Sequence, residues 1–138
     1  MTDMFKSVVD FHKAFGQLVS EDPVFPIENI RDLRVKLLRE EFEEYIEAEK
    51  NNDFVEVADA LADLIYIACG TAASYGIPLD KVFEEVHRSN MAKLVDGKPL
   101  KREDGKVIKP EGWTPPDIEG VIKKQHQNNT LLQSKNTL

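Results

Sequence analysis

No lysine or arginine occurs between Lys50 and Lys81. Inside that gap lies DFVEVADALADLIYIACG, a run that is apolar nearly all round when wound at roughly 100° per residue. Its acids, Glu56, Asp59 and Asp63, share one narrow sector. A helix of this kind must be covered on its apolar sides, and its carboxylates must meet compensating charge. The preceding segment, RVKLLREEFEEYIEAE, repeats the problem. Glu40, Glu41 and Glu44 fall on the stripe that carries Ile30, Leu33, Leu37 and Ala48. Burying carboxylates against one another costs many kcal/mol unless something positive offsets it. A divalent cation is the compensation that this pattern implies.

The pattern predicts helices over residues 3–19, 28–50, 53–75 and 79–93. Pro23 and Pro26 punctuate the first connection, Asn51-Asn52 stops the second helix, Asp53 caps the third and Gly76 closes it. Val8, Phe11, Phe15 and Leu18 mark one apolar face, and Leu79, Val82, Phe83 and Val86 another. Beyond Lys93 the turns Asp96-Gly97-Lys98 and Asp104-Gly105-Lys106 predict a small hairpin or ordered loop. Pro115-Pro116 opens a short last helix reaching Ile122. The expected fold is all-α, an antiparallel four-helix bundle-like core with a C-terminal loop or hairpin extension from about residue 95. Residues 1–123 form one domain in this reading, and the Gln- and Asn-rich residues 124–138 a disordered tail. The apolar third helix implies self-association, as a homodimer or homotetramer.

The net charge of −7 leaves no basic stripe to replace phosphate counterions, which argues against a nucleic-acid polymer as partner. It does not argue against a small phosphorylated ligand, because bound metal inverts the local sign. A single cysteine, Cys69, excludes an internal disulfide and a Cys-based zinc site, and its Ala-rich surroundings read as core. No signal peptide opens the chain and no apolar run nears the roughly 20 residues of a membrane span, so a cytoplasmic protein without a membrane partner is the expectation.

Residues three and four apart on a helix point the same way, so Glu41 with Glu44, Glu40 with Glu44, and Asp59 with Asp63 each form a claw. Two claws on adjacent antiparallel helices suit one or two hard cations, Mg²⁺ or Mn²⁺ in its place. Glu43 and Glu47 fall on another side and fit a solvated face. On the fourth helix, Asn90 and Lys93 occupy positions where apolar residues would continue the stripe, and a lysine there suits a phosphate. An alternative is simple helix capping and a favourable dipole contact. Glu84-x-x-His87 reads as half of a di-iron motif, but no second copy exists. His12, Trp113 and Lys109 complete the candidate substrate contacts, with anchoring of the C-terminal loop the competing role for Trp113 and a solvated loop that for Lys109.

Glu40-Glu41-x-x-Glu44, then LADLIY, then HRSNMAKL resembles the all-α nucleoside triphosphate pyrophosphohydrolases, a group that includes MazG, the phosphoribosyl-ATP pyrophosphohydrolases and the dimeric dUTPases. The resemblance covers residues 27–94, and DGKVIKPEGWTPPD resembles a MazG-like branch. It implies Mg²⁺-dependent hydrolysis of a nucleoside triphosphate between the α and β phosphates, yielding a monophosphate and pyrophosphate in nucleotide-pool housecleaning. Phosphoribosyl-ATP hydrolysis in histidine synthesis and a non-catalytic nucleotide- or metal-binding bundle are the alternatives. The resemblance implies Glu41, Glu44, Asp63 and Asp59 as ligands, and Glu40 as a further ligand or the base. One departure stands out: Ala60 occupies the glutamate position of the family's Glu-x-x-Asp element, leaving Glu56 or Asp59 to supply the missing carboxylate.

Overall fold

A computed structural model describes residues 3–136, and these fold into five helices with no strand among them. They are α1 (Met4–Ala14), α2 (Glu28–Lys50), α3 (Phe54–Tyr75), α4 (Leu79–Met91) and α5 (Ile118–Asn136). The architecture is all-α and bundle-like. The chain divides after Leu79 into two compact units.

In the first unit α3 is the central element, packed on one side by α2 and on another by α1. The turn at Asn51–Asn52 is short enough to fold α2 back antiparallel onto α3. Asp53 starts α3 by accepting the Glu56 backbone N–H at 3.2 Å. Gly76 ends it in the left-handed conformation, as the sequence predicts. Met4 and Val8 of α1 line a groove with Ala62, Ile65 and Tyr66, while His12 meets Gly70 one helix-length on. Helix α1 therefore runs parallel to α3. It stops at Ala14 rather than near Val19, because Gly16 turns left-handed (φ 69°) and breaks the ladder.

Small residues make the α3 packing close: Ala60, Cys69, Gly70, Ala72 and Ala73 are buried, as is Ala48 of α2. Burial pushes the Cys69 thiol pKa up, which keeps it an inert core residue. Two polar side chains are buried with them. Arg34 of α2 donates to Thr71 Oγ1 at 3.0 Å and to the Ile67 carbonyl at 2.9 Å, pinning α2 to α3. The loop after α1 is tied down by Ser74 Oγ donating to the Leu18 carbonyl (2.9 Å) and Ser20 Oγ to the Ser74 carbonyl (2.7 Å).

A single chain does not cover α3 on every side. Phe54, Val55, Leu61 and Ile65 are all exposed, as are Leu33, Val35 and Phe42 of α2. Three helices have too little surface to enclose a helix that is apolar all round.

In the second unit α4 half-buries Val82 and Val86, whereas Phe83 is exposed. The two Asp-Gly-Lys turns form isolated antiparallel bridges, Val95 with Lys98 and Lys101 with Val107, rather than strands. The last helix corrects the sequence reading most. It starts at Ile118 and continues through Asn136 instead of stopping near Ile122. No proline or glycine interrupts the segment after Gly120. Its turns are closed by Lys123 with Glu119 (2.9 Å), Gln125 with Asn129 (3.2 Å) and Thr130 Oγ1 with the His126 carbonyl (3.0 Å). No described helix is long and apolar enough to cross a membrane.

Candidate metal centre

The α2–α3 hairpin brings one oxygen each from Glu41, Glu44 and Asp63 within 4.8 Å of one another. Glu41 and Asp63 are half-buried, and Glu44 is exposed. Glu41 Oε2 is buried with no hydrogen-bond partner, a costly state for a charged oxygen. Burial, the hydrogen-bonding approach of Glu44, and the charges of Glu44, Asp63 and Asp59 together push the Glu41 pKa up to about 7. Asp63 is also raised, first by burial and then by Asp59 and Glu44. Asp59 itself is exposed, yet its charge reaches both neighbours. An orphaned carboxylate oxygen facing two further carboxyls is the donor set that a hard divalent cation takes. The residues fit such an ion.

The other acids lie apart from this group. Glu40 is exposed and loosely paired with Lys36 at 3.9 Å. Glu56 is exposed in the first turn of α3, where its N–H meets the Asp53 cap. Ala60 is buried at 3 % exposure, so its face of α3 is committed to packing. The energetic problem is thus narrower than the sequence suggests. Only Glu41 and Asp63 are partly buried, while Glu40, Glu44, Glu56 and Asp59 remain open to solvent.

His12 lies inside the helix packing at 2 % exposure, with Nδ1–H donating to the Leu18 carbonyl at 3.1 Å. Asn90, Lys93, Lys109 and Trp113 all belong to the second unit and cluster there. Lys93 Nζ donates to Asn90 Oδ1 at 3.0 Å, and both lysines stand over the Trp113 ring. Two residues escaped the sequence reading. Arg34 shares the inner stripe of α2, four residues after Ile30 and seven before Glu41, so the 3.6-residue period carried the signal. Gly70 had none, since close approach by partners on other helices leaves no local mark.

A family model described as phosphoribosyl-ATP pyrophosphohydrolase matches residues 8–90. An uncharacterized protein of Acanthamoeba polyphaga mimivirus is 32% identical over 81 residues. That match covers 55% of this chain and 32% of the viral protein, so the chain spans about a third of that relative's length. The family match covers more than half of the chain and includes every member of the carboxylate group. The chain belongs to the phosphoribosyl-ATP pyrophosphohydrolase family, within the all-α nucleoside triphosphate pyrophosphohydrolase superfamily.

Proposed function

We propose that this protein hydrolyses a nucleoside triphosphate between the α and β phosphates, releasing a nucleoside monophosphate and pyrophosphate, with Mg²⁺ as its cofactor. The observation that carries the reading is the convergence of Glu41, Glu44 and Asp63 inside the family match. Those three would hold the cation. Asp59, whose charge already reaches Glu41 and Asp63, supports a fourth contact better than Glu56 does. When bound, the cation supplies Lewis acidity, offsetting phosphate charge and easing deprotonation of water. Glu40, exposed and free of the buried group, accepts the proton of the attacking water. Asn90 and Lys93 offer an amide and an ammonium for phosphate oxygens. His12 keeps its place in the core.

The family description favours phosphoribosyl-ATP as the rival substrate. A panel of ribo- and deoxyribonucleoside triphosphates with phosphoribosyl-ATP, assayed with Mg²⁺, separates the two. Pyrophosphate release is expected from the panel, and phosphate released without pyrophosphate rejects the proposed bond cleavage. The exposed apolar residues of α2 and α3 support assembly into a homodimer or homotetramer, and a monomer in sedimentation equilibrium at micromolar concentration would contradict it.

The carboxylate group also makes stability depend on pH. Glu41 holds its proton up to about pH 7 when folded, against an ordinary value of 4.5, so the folded state binds that proton more tightly than the unfolded chain. The associated stability is full below the ordinary value and lost as pH rises through about 7. Metal-free protein should therefore melt at a lower temperature at pH 8 than at pH 5. Mg²⁺ should raise the melting temperature at pH 8 and do little at pH 5, because binding needs ionised carboxylates. A Mg²⁺ effect of equal size at both pH values would contradict the ligand assignment.

A further inference from the structure

The loop between α1 and α2 is firmly held, yet it keeps its largest apolar side chains in solvent. Ser20 is bonded twice to the end of α3, through its N–H to the Ala73 carbonyl (3.0 Å) and its Oγ to the Ser74 carbonyl (2.7 Å). The Val24 N–H donates to the Tyr75 carbonyl at 3.0 Å, and the Asp22 carbonyl rests against Gly76, where a Cβ would have no room. Pro26 is buried. The Phe25 ring stands edge-on to Tyr75 at 5.7 Å and lies 4.5 Å beneath the Arg31 guanidinium. Despite this anchoring, Phe25 is 71% exposed, Ile27 70% and Val24 51%. Ordering a loop costs conformational entropy, and displaying three large apolar side chains on it returns nothing to an isolated chain.

The same patch contains a hollow. Pro23, Val24, Phe25, Tyr75 and Ile77 line an almost wholly apolar pocket of about 350 Å³. Ile27 is not part of its wall. An exposed aliphatic side chain beside an apolar hollow is self-complementary, because a twofold axis offers each copy's side chain to the other's hollow. The charges agree with such an axis. Glu28 and Arg31 lie one turn apart at the start of α2, next to the patch, and both are exposed. Among the described residues neither has an ion-pair partner. In a twofold contact, where residue i meets j and j meets i, the guanidinium of each copy faces the Glu28 carboxylate of the other.

We infer that Val24, Phe25 and Ile27, with Glu28 and Arg31, form a docking surface for a second copy of this chain across a twofold axis. The surface is distinct from the exposed apolar residues further along α2 and on α3, and it does not rest on the hydrolase reading.

Sedimentation equilibrium of the full-length protein at micromolar concentration reads this contact directly. Phe25→Ser should halve the mass of the assembly while helix content by circular dichroism stays constant. Phe15→Ser removes a comparably exposed ring outside the patch and should leave the mass unchanged. Arg31→Glu and Glu28→Arg should each weaken association roughly tenfold or more, because each sets like charges opposite one another. Mixed in equal amounts, these two variants should associate again, since every charge then meets its opposite. Both lie at exposed positions of α2, so the mixture decides the matter whatever Phe25→Ser does to folding. A monomeric wild type, a wild-type mass for folded Phe25→Ser, or no recovery in the mixture overturns the inference.

Discussion

Glu41→Gln and Asp63→Asn are each expected to lower Mg²⁺-dependent pyrophosphate release by roughly a hundredfold to a thousandfold, the usual scale when a charge-stabilising group is lost from a reaction site. Both substitutions keep shape and remove charge. Glu41 is the sharper of the two, because its Oε2 is buried with no partner and its proton is held up to about pH 7. Removing that carboxylate should not unfold the protein. At pH 8 without metal, Glu41→Gln should melt no lower than the wild type, since repulsion with Glu44, Asp63 and Asp59 is relieved. The same variant should lose the Mg²⁺-induced rise in melting temperature. Glu47→Gln is the matched control: this exposed residue only accepts a long hydrogen bond from Asn51 at 3.4 Å and should retain full turnover. Wild-type turnover in both Glu41→Gln and Asp63→Asn would remove the carboxylate group from the chemistry.

The largest expected effect on stability lies at Gly70. A Cβ there would stand 2.6 Å from Arg34 Nη2 and 2.6 Å from His12 Nε2. Neither neighbour can retreat cheaply. Arg34 is hydrogen-bonded to Thr71 and Ile67, His12 is bonded to Leu18, and both are buried. Gly70→Val should therefore cost about 3 kcal/mol or more, from overpacking and from breaking a bond made by a charged group. For a chain of this size that lowers the melting temperature by about 10 °C. Combining it with Arg34→Ala should cost less than the sum of the two single changes, because the clash is removed with the arginine side chain. A melting temperature within a degree or so of wild type for Gly70→Val would show that the α1–α2–α3 packing is not as described.

The helices that carry the carboxylates were legible because their signals are local. Asn51-Asn52 and Asp53 separate α2 from α3, Gly76 ends α3, and the 3.6-residue period turns Glu41 and Glu44 to one side. The length of α5 is not legible because its Gln- and Asn-rich composition lacks an apolar stripe, whereas hydrogen bonds within the helix carry it to Asn136. Phe83 shares its spacing with Val82 and Val86 yet is exposed, because spacing says which residues share a face, not whether anything covers it.

The all-α class, the two acid-bearing helices and the family resemblance follow from residue types at fixed short spacings, and all of these can be read along the chain. Which acids meet is a matter of packing between helices. Whether Glu41, Glu44 and Asp63 come within reach while Glu40 and Glu56 stay apart depends on how α2 is rotated against α3. That rotation is set by packing at Ala48 and Ala60 and by the buried Arg34, contacts between residues distant along the chain. The placement of Lys109 and Lys93 on Trp113 has the same origin, a turn at Gly112 and one hydrogen bond to Ser89.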